Sequence, residues 1–263
     1  MTLLHAHYKA FLCLLLIMIV FGIVLTIPIV APSSPLNVSA SGKWSIVAML
    51  VAALSVLAYY FEFDSFAQSA KEIALVSMMG TLSAILRVPF APIPSVQPST
   101  FLIICTGYVF GPLAGFMIGA TTPIISNFFL GQGPYTLFQI FAWGFIGLGA
   151  GYLGRLELGG RWLLVVLLLY GILSAYLFGA IMNLWDWVTY AYPLTWSTYV
   201  ARITLSLWFD TFHAIGNVLF LMFFGTKTIV ILQRFRKRFS VFYVPSGAIE
   251  KVVTDSQDIT NHR

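Results

Sequence analysis

The sequence predicts an all-α integral membrane protein, and three observations carry this prediction. Of the 263 residues, 59% are hydrophobic and only 9% are charged, whereas charged residues make up about 25% of a typical soluble domain. The apolar residues are gathered in runs, several of which approach the ~20 residues needed to cross a hydrocarbon core of about 30 Å. Backbone groups find no water in lipid, so each run that crosses must be a helix.

Eight apolar runs, each bounded by charge, proline or glycine, are the candidate membrane spans. In chain order they cover residues 10–29, 44–60, 73–88, 100–110, 113–130, 137–153, 162–185 and 201–225. The first run exceeds the apolar part of a signal peptide, and Lys9 is the only positive charge near it. We therefore expect a retained helix there. The fourth run is short for a membrane span.

The positions of lysine and arginine predict the orientation of the chain. With eight spans and a cytoplasmic N-terminus, only Lys43, Arg87 and Arg202 of the 14 basic residues face outwards. Basic residues accumulate on the cytoplasmic side of membrane proteins. We therefore expect a multi-pass protein of the cell membrane with both termini in the cytoplasm. The tail, residues 226–263, contains "RFRKRF" and is predicted to rest on the anionic surface of the lipid bilayer.

One outward-facing loop, residues 89–99 within "VPFAPIPSVQPST", contains four prolines and no charge. Proline fixes φ and removes a backbone donor, so such a loop is stiff without a hydrogen-bonded partner strand. Two interpretations are open. The segment is a surface connector between helices, or it is a lid over a ligand pocket that opens outwards.

Polar residues in the last span form a stripe. At about 100° per residue, spacings of four, four, three and four keep Arg202, Ser206, Asp210, His213 and Asn217 on one face of a helix. Ionisable groups in a membrane helix usually face the bundle interior or a water-filled cavity. We expect Arg87 to pair with Asp210 or with an anionic ligand. The alternative is a network of hydrogen bonds that only holds the helices together.

Two further outer segments carry candidate ligand-contacting residues. The turn "NFFLGQGPYTLFQ" brings uncharged polar groups to the same level, namely Asn127, Gln132, Tyr135 and Gln139. The segment "WDWVTYAYPLTWSTY" is rich in tryptophan and tyrosine. These aromatic residues form an interfacial belt, or they offer a flat apolar surface to a ring-shaped ligand.

Small residues at four-residue spacing predict close helix packing. Gly111, Gly115 and Gly119 form one such series, and a second glycine-rich series lies within residues 144–154. In the third span Ser77, Gly80 and Ala84 form a similar strip. This strip is either internal or receives another membrane subunit.

Motifs for catalysis are missing from the sequence. It has no Walker A pattern, no HExxH and no GxSxG. If the protein transports a solute, it does not hydrolyse ATP itself. We expect no enzymatic activity, no cofactor, no metal site and no nucleic-acid partner.

Two stretches between residues 71 and 225 carry a resemblance to a known family: "PSVQPSTFLIICTGYVFGPLAGFMIGATTPIISNFFLGQGPYTLFQIFAWGFIGLGAGYLGR" and "FDTFHAIGNVLF". With them, this part of the chain resembles the substrate-binding S components of energy-coupling factor (ECF) vitamin transporters. The resemblance implies a six-helix bundle whose outward pocket is capped by the proline-rich loop. It also implies three partners, a membrane-embedded T component and two cytoplasmic ATPases. The T component would dock on the first core helix, where Gly80 and Ala84 stand in place of the family's spaced alanines. Within the family, the sequence most resembles members associated with cobalamin or its precursors.

The predicted organisation is therefore an S-component-like bundle (71–225) preceded by two additional N-terminal transmembrane helices (1–70) and followed by a basic tail (226–263). The predicted substrate-binding residues are polar or ionisable: Arg87, Gln97, Asn127, Gln132, Tyr135, Asp210, His213 and Asn217. The predicted function is outward binding of a vitamin or related micronutrient for ATP-driven uptake by partner subunits. The alternatives are a proton-coupled secondary transporter that uses Asp210 and His213, and an intramembrane enzyme.

Overall fold

The structure, a computed structural model, describes residues 2–35, 37, 47, 50, 51, 54, 70–133, 135–191, 193 and 195–239. Regular secondary structure in these residues is helical, which confirms the predicted all-α fold. The helices are α1 (Thr2–Val30), α2 (Ala70–Phe90), α3 (Ser99–Phe110), α4 (Pro112–Leu130), α5 (Tyr135–Gly154), α6 (Gly160–Tyr190) and α7 (Trp196–Phe220), then a π-helical turn (Leu221–Gly225) and α8 (Thr226–Phe239).

Five helical segments in the described ranges are long and apolar enough to cross a membrane: Ile73–Phe90, Pro112–Leu130, Tyr135–Gly154, Gly160–Trp187 and Trp196–Lys237. They coincide with five of the predicted spans, although the last extends well beyond residue 225. The second predicted span, 44–60, lies outside the described residues except for positions 47, 50, 51 and 54, which are helical.

Helix α3 lies at the centre of the bundle. Its residues from Ser99 to Val109 are all buried, and it contacts α2, α4, α5, α6, α7 and α8. A helix that is apolar on every side is buried on every side. This position explains how a run of only 12 residues belongs to a membrane bundle, because other helices rather than lipid surround it.

Helices α4 and α5 approach each other through their glycines. A Cβ atom on Gly115 would collide with the main chain of Gly147, and a Cβ on Gly147 would collide with that of Gly115. Gly119 meets the main chain of Trp143 in the same way, and Gly151 meets that of Pro112. The prediction of close helix packing at these glycines is confirmed.

The N-terminal segment packs on the first half of α5. Ile17 of α1 and Val51 are buried in one apolar cluster with Phe138 of α5, and the rings of Phe21 and Phe138 lie 5.5 Å apart. The segment therefore covers a face of the bundle that would otherwise meet lipid.

The last helix continues past the predicted end of the membrane core. After the π-helical turn, α8 buries Ile229 and Leu232 in the main apolar cluster. Arg236 Nη1 donates a 2.7 Å hydrogen bond to the carbonyl oxygen of Val109, at the end of α3. Basic side chains bind the open carbonyls of a helix C-terminus in this way. The first part of the predicted tail is thus packed against the core, while residues 240–263 lie outside the described ranges.

Candidate functional site

A cavity of about 400 Å³ opens at one end of the bundle. Its walls come from the end of α2, the loop 91–98, the beginning of α3, the first half of α5, and the facing halves of α6 and α7. The lining residues are Arg87, Ser95, Gln97, Thr100, Gln139, Trp143, Phe178, Gly179, Met182, Asn183, Trp185, Asp186, Ser206, Phe209, Asp210 and His213.

Arg87 is held in one wall by three side chains. Its Nε donates to Gln97 Oε1 at 2.9 Å, and its Nη1 donates to Ser126 Oγ and Asn127 Oδ1, each at 2.7 Å. Its guanidinium also lies 4.9 Å from the centre of the Trp143 ring, within the range of a cation–π interaction. Arg87 is thereby fixed in position without a carboxylate partner among the described residues.

Asn127 connects Arg87 to a second cavity residue. While its Oδ1 accepts from Arg87, its Nδ2 donates at 2.8 Å to both Thr136 Oγ1 and Gln139 Oε1. Asn127 is only 1% exposed and lies behind the cavity wall. Its amide orients both Arg87 and Gln139, because each depends on a different end of the same side chain.

The base of the cavity is aromatic. Phe178 lies between Trp143, with ring centres 4.7 Å apart, and His213, with ring centres 5.3 Å apart. Trp143 Nε1 donates to Thr100 Oγ1 at 3.0 Å, and the same hydroxyl is hydrogen-bonded to His213 Nε2 at 2.8 Å. Thr100 therefore holds the rings of Trp143 and His213 in position through one hydroxyl group.

The opposite wall holds a carboxyl group. Asn183 Nδ2 donates to Ser206 Oγ at 2.7 Å, and Ser206 Oγ donates to Asp210 Oδ2 at 2.9 Å. Gly179 leaves the space for this group, since a Cβ atom there would collide with the Asp210 carboxyl. The pairing of α6 and α7 thus sets the position of Asp210.

Towards the α6–α7 connection, an ion pair stands beside the cavity. Arg202 Nη1 lies 3.1 Å from Asp186 Oδ2, and both side chains are about one-third exposed. A second recess of about 270 Å³ adjoins the pair and shares Asn183, Asp186, Ser206 and Phe209 with the cavity.

The structure brings half of the predicted binding residues to the cavity surface. Arg87, Gln97, Asp210 and His213 line it, and Asn127 lies directly behind it. The three others are elsewhere. Gln132 is exposed and donates to Ile124 O, Tyr135 packs against Trp185, and Asn217 donates to Gly171 O inside the bundle.

The expected pairing of Arg87 with Asp210 is not formed. Arg87 donates to Gln97, Ser126 and Asn127, while Asp210 accepts from Ser206. The physical reason is geometric, because the aromatic base of the cavity lies between the two residues. The second option at that position, an anionic ligand for Arg87, stays open.

The predicted docking strip of Ser77, Gly80 and Ala84 is partly exposed and partly inside the bundle. Ser77 is exposed, but Ala84 is only 1% exposed and Gly80 packs against Thr121 of α4. The structure therefore supports the internal alternative for both residues, since Gly80 serves the contact between α2 and α4 and Ala84 is buried. A docking role remains a prediction for the surface around Ser77.

Sequence reasoning missed the contribution of α6. Phe178, Gly179, Asn183 and Asp186 all line the cavity, and none was predicted to bind ligand. The signal was present, because Asn183 and Asp186 are polar residues within a strongly apolar run and share a helix face with Gly179. Thr100 was missed because threonine is common near the start of helices, so its position alone does not indicate a binding role.

Residues 71–225 match the family model "ECF transporter, substrate-specific component". The match covers more than half of the chain and includes every residue that lines the cavity. The chain belongs to this family. No curated protein and no solved structure matches it. As an S component, it is a multi-pass membrane protein and the substrate-specific part of a transporter that works with T and ATPase modules. Helix α1 and the segment that carries Val51 precede the matched region.

Proposed function

We propose that this S component binds a vitamin-sized micronutrient in the cavity between α2, α3, α5, α6 and α7, at the outer face of the membrane. A T component and two cytoplasmic ATPases would then drive its uptake. The observation that carries the proposal is the cavity itself, which combines an aromatic base with fixed polar groups on two walls. Ligand sites are usually pockets of this kind, mostly apolar with a few well-placed polar groups.

The proline-rich loop is proposed as the cap of this site. Ser95 and Gln97 of the loop line the cavity, and Gln97 also accepts from Arg87. Val96 packs against Gly216 of α7, where a Cβ atom would come within 3.2 Å of its side chain. These contacts support a loop that is held over the cavity rather than one that only joins two helices.

The size of the cavity favours a precursor over a complete cobalamin. A volume of about 400 Å³ lies near the lower end of the ~300–1,000 Å³ range of pockets for drug-sized ligands. A complete corrinoid, with its macrocycle and nucleotide loop, is much larger than such a ligand. We propose a substrate with one or two ring systems.

An outward-facing cavity directs the end of α8 to the cytoplasm, and with the two predicted N-terminal spans the N-terminus lies there too. The charge distribution supports this orientation. Arg155 and Arg161 flank the α5–α6 connection, and Arg236 and Lys237 lie near the end of α8. Arg236 binds the last turn of α3, whose first turn lies at the cavity. The basic residues therefore gather at the end of the bundle opposite the cavity, as expected for the cytoplasmic side.

Native mass spectrometry of the full chain, purified after growth in rich medium, would identify a bound ligand. The same ligand is then used with two matched variants, Thr100→Val in the cavity and Thr204→Val on the exposed face of α7. Removing the Thr100 hydroxyl leaves Trp143 and His213 without a partner and should weaken binding about tenfold, or ~1.4 kcal/mol. Thr204→Val should bind as the wild type does.

Uptake tests the transport part of the proposal. Membrane vesicles that contain the S component with its T component and ATPases should accumulate the ligand in the presence of ATP, and vesicles with the S component alone should not. Accumulation by the lone chain would favour a secondary transporter and refute the proposal. Equal affinity of Thr100→Val and wild type would place the binding site elsewhere.

A further inference from the structure

The cavity presents two opposite charges that do not pair with each other. We infer that its ligand is bipolar, with an acidic group bound by Arg87, a basic or hydrogen-bond-donating group bound by Asp210, and a flat ring between them. This inference rests on the proposed function, and it specifies the chemical class of the substrate.

Arg87 retains a free donor nitrogen. Its Nε and Nη1 are occupied by Gln97, Ser126 and Asn127, whereas Nη2 makes no hydrogen bond to any residue that the structure describes. Nη2 is also not among the enclosed polar atoms that lack a partner, and Arg87 lines the cavity. Two N–H bonds of a guanidinium are therefore available to an acidic group, the partner that arginine binds best.

Asp210, like Arg87, has one polar atom that is not occupied by the described residues, in this case an acceptor oxygen. Its Oδ2 accepts from Ser206, while Oδ1 receives no hydrogen bond from the described part of the chain and is not enclosed either. Gly179 leaves room for the carboxyl group, and Asp210 lines the cavity. It can accept from a basic or donating group of a ligand.

The two groups are separated by aromatic rings. Arg87 lies over Trp143, Trp143 packs on Phe178, and Phe178 is followed in the chain by Gly179, which contacts Asp210. A ligand that reaches from one group to the other must pass over this surface. An aromatic or other flat ring suits that position because it offers matching apolar area.

The ion pair at the α6–α7 connection does not compete for these groups. Asp186 is already paired with Arg202, which leaves Arg87 and Asp210 as the two charged groups of the cavity without a charged partner among the described residues. A ligand with only an acidic group would pair with Arg87, but it would displace water from the Asp210 carboxylate and offer no group to bind in place of that water. Such an unpaired buried group costs binding energy, and this penalty selects against ligands with one charge.

Three benzene derivatives of nearly equal size test the inference on the purified full chain in detergent. The bipolar probe is 4-(aminomethyl)benzoate, the acidic probe is 4-methylbenzoate, and the basic probe is 4-methylbenzylamine. We expect the bipolar probe to bind at least about tenfold more tightly than either of the others, as measured by calorimetry or by competition with the co-purified ligand. Equal binding of the bipolar and acidic probes, or no binding of any probe, would overturn the inference.

Variants assign each end of the probe to a residue. In Asp210→Asn, the bipolar probe should lose its advantage over 4-methylbenzoate, and in Arg87→Gln it should lose its advantage over 4-methylbenzylamine. The matched controls Glu157→Gln and Arg155→Gln make the same charge changes in the α5–α6 connection, and they should keep the wild-type order. If the controls keep the wild-type ranking of the three probes, a changed ranking in Asp210→Asn or Arg87→Gln does not come from purification or detergent.

The outcomes separate this inference from the proposed function. If the chain binds the bipolar probe best but does not support uptake with its partner subunits, the charge assignment stands and the transport role fails. If it imports a co-purified ligand that carries neither a basic nor a donating group opposite an acidic one, the transport role stands and the inference fails.

Discussion

The close contact of α4 and α5 depends on glycine, and Gly147→Ala tests this directly. The new methyl group would be directed at the main chain of Gly115. A side chain can rotate away from such a collision, but a helix backbone cannot. The two helices must therefore move apart.

The size of the effect follows from two opposing terms. Alanine is favoured over glycine in a helix by up to ~1 kcal/mol, while overpacking a tight contact costs about 1–3 kcal/mol or more. We expect a net destabilisation of about 2 kcal/mol, which corresponds to a midpoint lower by ~4–8 °C for a chain of this size. Gly22→Ala is the matched control, because among the described residues no atom outside its own stretch of helix lies within 4 Å of its Cβ position.

The unfolding midpoint of both variants is measured in the same detergent. It is followed by intrinsic fluorescence or by the loss of the monomer peak in size-exclusion chromatography after heating. Gly22→Ala should unfold at the wild-type midpoint or slightly above it. If Gly147→Ala is as stable as Gly22→Ala, the contact is not limited by the backbone and the packing argument fails. Because α5 also carries Gln139 and Trp143, the destabilised variant should bind ligand more weakly as well.

Three further predictions concern the cavity, the core and the orientation. Gly179→Ala should weaken ligand binding about tenfold, or ~1.4 kcal/mol, with little change in the unfolding midpoint, because the methyl group displaces the Asp210 carboxyl; an unchanged affinity would remove Asp210 from the site. Arg236→Ala should lower the midpoint by about 2–4 °C, since a charged hydrogen bond to Val109 is lost, whereas Arg234→Ala, at an exposed position of the same helix, should not. Reporter fusions at the two ends of the chain should both report the cytoplasm, and opposite reports would exclude the even number of spans.

The positions of five membrane spans and the polar side of α7 were predictable because they depend on local patterns. Length and hydropathy mark a span, and a spacing of three places Asp210 and His213 on one helix face. Both residues do line the cavity. The pattern did not show which residues of the stripe face the cavity and which face a neighbouring helix. Asn217 belongs to the same stripe, but it lies in the bundle interior, where its Nδ2 donates to Gly171 O.

The sequence did not determine which apolar face of a helix points inwards. In a soluble protein the apolar face is the inner one, but in a membrane both lipid and protein accept apolar side chains. Gly80 and Ala84 illustrate this ambiguity, since the same spacing suits an internal contact and an external one. The partners of Arg87 were equally hidden, because Ser126 and Asn127 come from a helix about 40 residues further along the chain.

The length of the last helix has a consequence for the surrounding lipid. The apolar segment from Trp196 to Lys237 contains 42 residues, so at ~1.5 Å per residue it extends about 63 Å. This is twice the ~30 Å thickness of the hydrocarbon layer, whereas α3, with 12 residues, extends only about 18 Å. Helix α3 is enclosed by other helices and does not have to match the bilayer, but the last helix does. Its basic end, with Arg236 and Lys237, belongs on the cytoplasmic side, and for the remaining excess the membrane must thicken or the helix must tilt along this edge, at a fraction of a kcal/mol per Å. The preferred angle of the protein in the membrane should therefore change with the acyl-chain length of the lipid.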